Sequence, residues 1–332
     1  MAKKKRRPRT ERRVPVRPFW KRPTVILAAG LTVGLLLLLL LTRPAPRPPF
    51  NVERAYAEVE RQVAFGPRVP GSAAHDAARA YFVETLSGLA DQVHEQPVVY
   101  TLPDSSVVSG TNIVASFNLD PEEKKRVLLA AHWDSRPRAD RDPDPSRHST
   151  PVPGANDGAS GVAVLLEIAR ILHAHPLDIG VDIVLFDLED LGTSSQFEAD
   201  SSVAHVPFAI GSAAFVQNNP TYRPTYGILL DMVGDTNLRI PQEAYSRTYA
   251  RRVVAKVWDA AERVGAEAFV DEPGGAVEDD HVPFLRAGIP VVDLIQTPFP
   301  DTWHTTADTP DRVSAESLRQ VGEVLVEVLW SE

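Results

Sequence analysis

The chain has 332 residues, 43% of them apolar and 24% charged, which is ordinary for a globular domain and enough for a buried core. Residues 1–22 hold eleven Lys/Arg and one acid, a net of +10; because the whole chain carries −9, residues 23–332 carry −19. An acidic body argues against nucleic acid as a partner, and the absence of cysteine excludes disulfides and thiolate metal sites, so any metal must be held by His, Asp or Glu.

Residues 23–42 contain no charge and end in seven leucines, Leu35–Leu41. At about 1.5 Å per residue a helix of that length spans roughly 30 Å, the thickness of a bilayer core. The expected plan is therefore a basic cytoplasmic tail (1–22), a transmembrane signal anchor in the lipid bilayer (23–42), a stiff Pro-rich linker (43–50) and a folded domain outside the cytoplasm (51–332). The rival plan is a secreted domain released by cleavage near Ala45.

Within the domain, residues 51–65 and 71–89 have helical spacing, with Tyr56, Val59 and Val63 on one face. Residues 98–102 and 112–117 read as strands. Residues 126–131 form a short apolar run suited to a strand buried on both faces, and 182–187, 226–232 and 290–295 read the same way. Helices are expected at 158–173, 243–263 and 315–329. Residues 193–209 are polar without a clear period and read as a surface loop or lid. Strands alternating with helices predict a three-layer α/β fold.

The ionisable residues follow the strands. His132 and Asp134 come just after the first buried run, Glu189 and Asp190 after the second, and Asp231 at the end of the third. In α/β sheets the carboxyl ends of the strands form the ligand crevice. His132 alone is compatible with a satisfied structural histidine. Asp157, in Gly154-Ala155-Asn156-Asp157-Gly158, reads either as a turn residue capping a helix or as a carboxylate ligand. Glu189 and Asp190 repel each other and require a compensating cation if buried. In extended chain, one would face a metal and the other a substrate, as acid or base; the alternative is a solvated acidic turn. Glu278-Asp279-Asp280-His281 reads as a helix start, and Trp303-His304-Thr305 as a loop. His173 and His175 fall near a helix C-terminus, and His75, His94, His148 and His205 at surface or loop positions.

Taken together, the ordered set His132, Asp157, Glu189-Asp190, Asp231 and His304 resembles the M28 zinc peptidase superfamily. Supporting segments are Gly66-Pro67-Arg68-Val69-Pro70-Gly71-Ser72 and Gly288-Ile289-Pro290, and the resemblance covers roughly residues 51–330. The aminopeptidases of that superfamily typically show Ser-Asp-His and a Tyr before the last His. Here the segments are Glu278-Asp279-Asp280-His281-Val282-Pro283-Phe284-Leu285 and Pro298-Phe299-Pro300-Asp301-Thr302-Trp303-His304-Thr305, similar to the glutaminyl-peptide cyclotransferase branch of bacterial type.

The resemblance implies an α/β three-layer sandwich with a mixed, mostly parallel central sheet, of the zinc exopeptidase or phosphorylase/hydrolase-like kind. It implies an enzyme that converts the N-terminal Gln of peptides or proteins to pyroglutamate with loss of ammonia. Asp157, Asp190 and His304 would hold one zinc. Glu189 would be the catalytic acid/base, with Asp279 and Asp231 in a hydrogen-bond network beside it, and Trp303 would wall the substrate pocket. In an aminopeptidase, the alternative, His132 and Asp231 would complete a second zinc site. A silent peptide-binding ectodomain is a third reading. The implied location is a bacterial inner membrane, with the domain periplasmic or extracellular. One departure stands out: the family most often has two glutamates where this chain has Glu189-Asp190, so the shorter Asp must bring its loop nearer the metal.

Overall fold

The structure, a computed structural model, describes residues 47–119, 125–193 and 205–332. The expected tail and anchor (1–42) and most of the expected lid (193–209) lie outside the described residues. Among the described residues no helix is long and apolar enough to cross a membrane.

Six strands form the central sheet: β1 (Gln92–Thr101), β2 (Val107–Phe117), β3 (Arg126–His132), β4 (Gly180–Phe186), β5 (Tyr226–Asp231) and β8 (Val291–Ile295), in the order β1-β2-β4-β3-β5-β8. The pairings β4–β3, β3–β5 and β5–β8 are parallel, while β1–β2 and β2–β4 are antiparallel, so the sheet is mixed and mostly parallel, as expected. A small parallel pair, β6 (Ile240–Gln242) with β7 (Phe269–Pro273), lies apart from it in the sheet order.

Helices cover both faces because β3 is apolar on both. Val127, Leu129 and Ala131 enter one core cluster with α1 (Val52–Ala64), α2 (Ala73–Ser87), α3 (Ala159–Ala174), α6 (Arg251–Val264) and α8 (Ala315–Leu329). Leu128 and Ala130 enter the other, under α4 (Ile210–Asn218) and α7 (His281–Arg286). There Phe186, Phe215 and Phe284 form a triangle with ring centroids 5.8–5.9 Å apart. Adjacent residues pointing to opposite faces is the period-2 geometry of a strand, here with apolar partners on each side.

Several elements differ from the sequence reading: β2 begins at Val107 rather than at 112, and α4, β6 and β7 are not expected from the sequence pattern. The strand expected at 98–102 is only the end of β1, which starts at Gln92. β1 is an edge strand, mostly exposed, so its first half carries polar residues and tolerates Pro97. The helix expected at 243–263 is two helices, α5 (Ala244–Tyr249) and α6, broken at Ala250 (φ −123°). The break lets Ser246 turn inward, where its Oγ accepts the Asp293 N–H at 3.0 Å, while α6 aims its own stripe of Val253, Val254 and Val257 at the core. Finally, the domain begins before residue 51: Arg47 Nε bonds Glu327 at 2.9 Å and the Phe50 ring lies against Gly322 of α8, so residues 47–50 are packed chain rather than linker.

Leu129 is fully buried in β3. Leu129→Ala should destabilise the domain by about 2–5 kcal/mol through lost burial and a residual cavity, read as a lower urea midpoint with an unchanged slope.

Candidate active site

Three parallel strands deliver the site. His132 is the last residue of β3 and pairs with Phe186, the last of β4; Asp231 is the last of β5. The chain leaves β3 for β4 on one side of it and then crosses to β5 on the other, which opens a crevice at their carboxyl ends.

Asp157 enters this crevice at the start of α3. It is not the cap: Gly158 occupies the N-cap position with φ +90° and makes no side-chain cap bond. A Cβ there would meet the Asp134 carbonyl oxygen at 2.7 Å, so the position demands glycine and frees the Asp157 carboxylate to face His132, 3.1 Å away. The loop is fastened from behind. Asp308 accepts the Asn156 and Asp157 N–H groups at 2.8 and 3.0 Å, and the buried Arg68 guanidinium donates to the carbonyls of Trp133, Pro153 and Gly154.

Glu189 and Asp190 do not continue the strand in extended form. Leu188 is left-handed (φ 59°) and the chain turns there. Two carboxylates hold the turn. Asp187 accepts from Leu188 N at 2.8 Å and Thr111 N at 2.6 Å, and Asp134 accepts from Glu189 N at 3.2 Å and Asp190 N at 3.1 Å. Met232 (φ 47°), beside Asp231, and His304 itself (φ 58°) share the left-handed conformation. Strained backbone of this kind concentrates where surrounding bonds over-determine it.

His304 comes from the loop after β8. Its Nε2 lies 3.5 Å from Asp190 Oδ1 and 3.9 Å from Asp157 Oδ2, and the half-buried Trp303 stacks on its ring at 3.8 Å. Asp157, Asp190 and His304 thus form one buried group of metal-ligand type, and His132, Asp157 and Asp231 form a second that shares Asp157. In the second, His132 Nε2 is within direct hydrogen-bonding distance of both carboxylates, at 3.1 and 3.2 Å.

The first group fits a divalent ion. Tetrahedral ligands about 2.0–2.2 Å from zinc lie roughly 3.3–3.6 Å from one another, against 3.5 and 3.9 Å from His304 Nε2 to the two carboxylates. Among the described residues, the buried Asp190 Oδ2 has no hydrogen-bond partner, which is costly unless a cation meets it. Burial, then the charges of Arg136, Arg141, His132 and Arg138, holds His304 well below the ordinary histidine range, leaving a neutral imidazole with a free lone pair.

Glu189 is buried. Burial and the charges of Asp190, Asp279 and Asp280 push its pKa well up, against the opposing effect of His132. Burial, Asp231 and Asp280 do the same to Asp279. These carboxyls are close enough to repel, yet no direct hydrogen bond joins Glu189 to Asp279 or Asp231 among the described residues.

Several site residues were not legible in the sequence. A third buried group joins Asp279, His281 and Asp293, with His281 Nε2 3.2 Å from Glu243 and Nδ1 3.6 Å from Asp293. The available signal was a lone Asp inside the apolar strand Val291-Val292-Asp293-Leu294-Ile295. His75, expected at the surface, is buried instead: its Nε2 is 3.0 Å from Asp187 and its ring stacks on Trp133 at 4.2 Å. It is the outside support of the Glu189–Asp190 turn.

A sequence model of peptidase family M28 matches residues 112–329, and the ligand-bearing elements just described fall inside that span, Asp157 to His304. The chain belongs to peptidase family M28. Within M28, it is similar to the glutaminyl cyclase of Bacteroides thetaiotaomicron bound to N-acetylhistamine, with TM-score 0.81 and 40% identity over 86% of this chain and 100% of that one. A leucine aminopeptidase precursor from Bacteroides thetaiotaomicron VPI-5482 also gives TM-score 0.81 and 40% identity, over 86% and 99% of the two chains. Bovine glutaminyl-peptide cyclotransferase is 27% identical over 290 residues, 78% of this chain and 77% of its own. The M28 fold explains why the expected α/β sandwich and the strand-end site occur together.

The crowded carboxyls make stability depend on pH. Asp280 is raised to about 7, first by burial and then by Asp134 and Asp231. Its folded pKa exceeds its unfolded one, so its contribution is fully present below about pH 4 and is lost as pH rises through about 7. Metal-stripped protein should therefore melt at a lower temperature at pH 8 than at pH 5.5. Asp280→Asn should shrink that difference; an unchanged pH profile in the variant would show that the side chain is ionised throughout.

Proposed function

We propose that this M28 enzyme is a zinc-dependent glutaminyl-peptide cyclotransferase acting on peptide or protein N-termini. The observation that carries the reading is the buried triad Asp157, Asp190 and His304 with Trp303 stacked on His304 and Glu189 beside it, in a chain 40% identical to a glutaminyl cyclase along that enzyme's whole length.

Asp157, Asp190 and His304 would hold one zinc, which when bound supplies Lewis-acid polarisation of the substrate γ-carbonyl. The substrate's α-amine attacks its own γ-carbonyl carbon, so a C–N bond forms in the same molecule and orientation supplies much of the acceleration. The C–NH2 bond breaks, and ammonia and pyroglutamate result. Glu189 takes a proton from the attacking amine and returns it to the departing nitrogen. Its raised pKa suits it to take up and return a proton. Asp190, Asp279 and Asp280 place negative charge near it that sustains that shift, and Trp303 would offer a flat apolar wall to the glutaminyl chain.

The second group, His132, Asp157 and Asp231, favours one other reading, an aminopeptidase with two zinc ions. Against it stand Glu278-Asp279-Asp280-His281 and the Trp before His304, where the aminopeptidases typically carry Ser-Asp-His and a Tyr. A silent binding ectodomain has less support, because all three ligand positions and Glu189 are filled by residues of the right type.

We propose further that residues 23–42 anchor the domain in a bacterial inner membrane, with residues 1–22 cytoplasmic and the catalytic domain outside. The uncharged twenty-residue run and the eleven basic residues before it support this placement.

The purified domain should convert a Gln-peptide to pyroglutamate and ammonia and release no leucine from leucine amide; free leucine would replace this reading with the aminopeptidase. Glu189→Gln should lower kcat by about 10²–10⁴-fold with zinc content kept at about one per chain. A fully active variant would remove Glu189 from its role.

A further inference from the structure

The ligands Asp190 and His304 reach the crevice from loops more than a hundred residues apart. One buried side chain ties them together. Arg136, 2% exposed, uses Nη1 on Asp190 Oδ1 (3.1 Å) and on the backbone carbonyls of Asp190 (3.2 Å) and Gly192 (3.0 Å). Its Nε and Nη2 grip Asp140 in a two-point contact at 2.6 and 2.7 Å. Asp140 Oδ1 in turn lies 3.6 Å from His304 Nδ1, on the side of the imidazole away from Asp157 and Asp190. The same turn holds the histidine's backbone, since Arg141 N donates to the His304 carbonyl at 3.1 Å. Phe208 lies along the guanidinium at 5.7 Å and packs over Gly192, where a Cβ would meet its ring at 2.3 Å.

We infer that Arg136 and Asp140 are positioning residues that set the metal site: Arg136 fixes the Asp190 carboxylate and its loop, and Asp140, held by Arg136, orients His304. A carboxylate on the outer nitrogen of a metal-binding histidine fixes its tautomer and ring direction, and loss of such partners typically costs about 10–100-fold in metal affinity. The planar fork of arginine suits this bridge, because it meets a carboxylate at two points and still has donors for a second group. It also answers the short side chain at position 190. Arg136 takes the carbonyls of Asp190 and Gly192 together with the carboxylate, so the whole turn is drawn inward rather than the side chain reaching outward.

A charge-only role makes a different forecast. If Arg136 merely balances the acidic crevice, a lysine in its place serves as well. Arg136→Lys keeps the charge and loses the two-carboxylate bridge, so it separates the two effects. Asp140→Ala removes the carboxylate beside His304 at a partly exposed residue.

This inference rests on the ligand set proposed above. The test is zinc affinity by competition with a chelator, followed by elemental analysis, with circular dichroism of the metal-free proteins as the folding control. Wild type should bind about one zinc, and both variants should bind it about 10–100-fold more weakly while remaining folded. In reconstituted enzyme kcat should fall with little change in KM, since neither residue is placed against substrate. Wild-type affinity in folded Arg136→Lys or in Asp140→Ala overturns the inference; if Arg136→Lys fails to fold, Asp140→Ala decides alone. A wild-type protein that binds no zinc would instead refute the ligand set itself.

Discussion

Like charge buried at close quarters is the constraint from which the site follows. Asp134, Asp157, Glu189, Asp190, Asp231, Asp279 and Asp280 are all buried around the ends of β3, β4 and β5. Ionised together in a low-dielectric interior they would repel strongly. The chain supplies some relief. Arg68 and Arg136 lie buried among them, His132 touches three of them, and backbone N–H groups bond to Asp134 and Asp308. On the proposed ligand set, the rest would be met by protons on some carboxyls and by a divalent ion held by Asp157, Asp190 and His304. Such tension is a poor way to stabilise a fold and a good way to hold a metal and a general base with a raised pKa.

The fold serves that arrangement by separating two tasks. Apolar runs in β3, β4 and β5 bury the sheet on both faces, and His132, Asp231 and the Glu189-Asp190 pair at or just past the ends of these runs meet in the crevice. The burden of precision then falls on the loops, which are fixed by carboxylates accepting backbone N–H groups, by buried arginines reaching carbonyls, and by left-handed turns at Leu188, Met232 and His304. At the rim, Trp303 and Phe299 pack at 4.4 Å beside His304, where the proposed function puts the substrate.

Much of this was legible from the residues. Buried strands announce themselves as short apolar runs, and His132, Glu189, Asp190 and Asp231 are conspicuous because they interrupt such runs. Asp157, Asp279, Trp303 and His304 gained their meaning from family resemblance, since each alone fits an ordinary turn or loop. What stayed hidden depends on partners distant in sequence. Arg136 looks like a surface arginine until Asp190 is seen beside it. His75 looks like a helix-surface histidine until Asp187 and Trp133 enclose it. The first half of β1 is missed because an exposed edge strand has no apolar pattern to read, and the break at Ala250 because it answers to Ser246 and β8 rather than to local propensity.

The central claim is that one divalent ion joins Asp157, Asp190 and His304. Its most direct test is anomalous diffraction at the zinc edge from crystals of the zinc-loaded domain. The expected result is one strong peak about 2.0–2.2 Å from a carboxylate oxygen of Asp157, one of Asp190 and the Nε2 of His304. A peak whose nearest groups exclude His304, or none in the crevice at all, would contradict it.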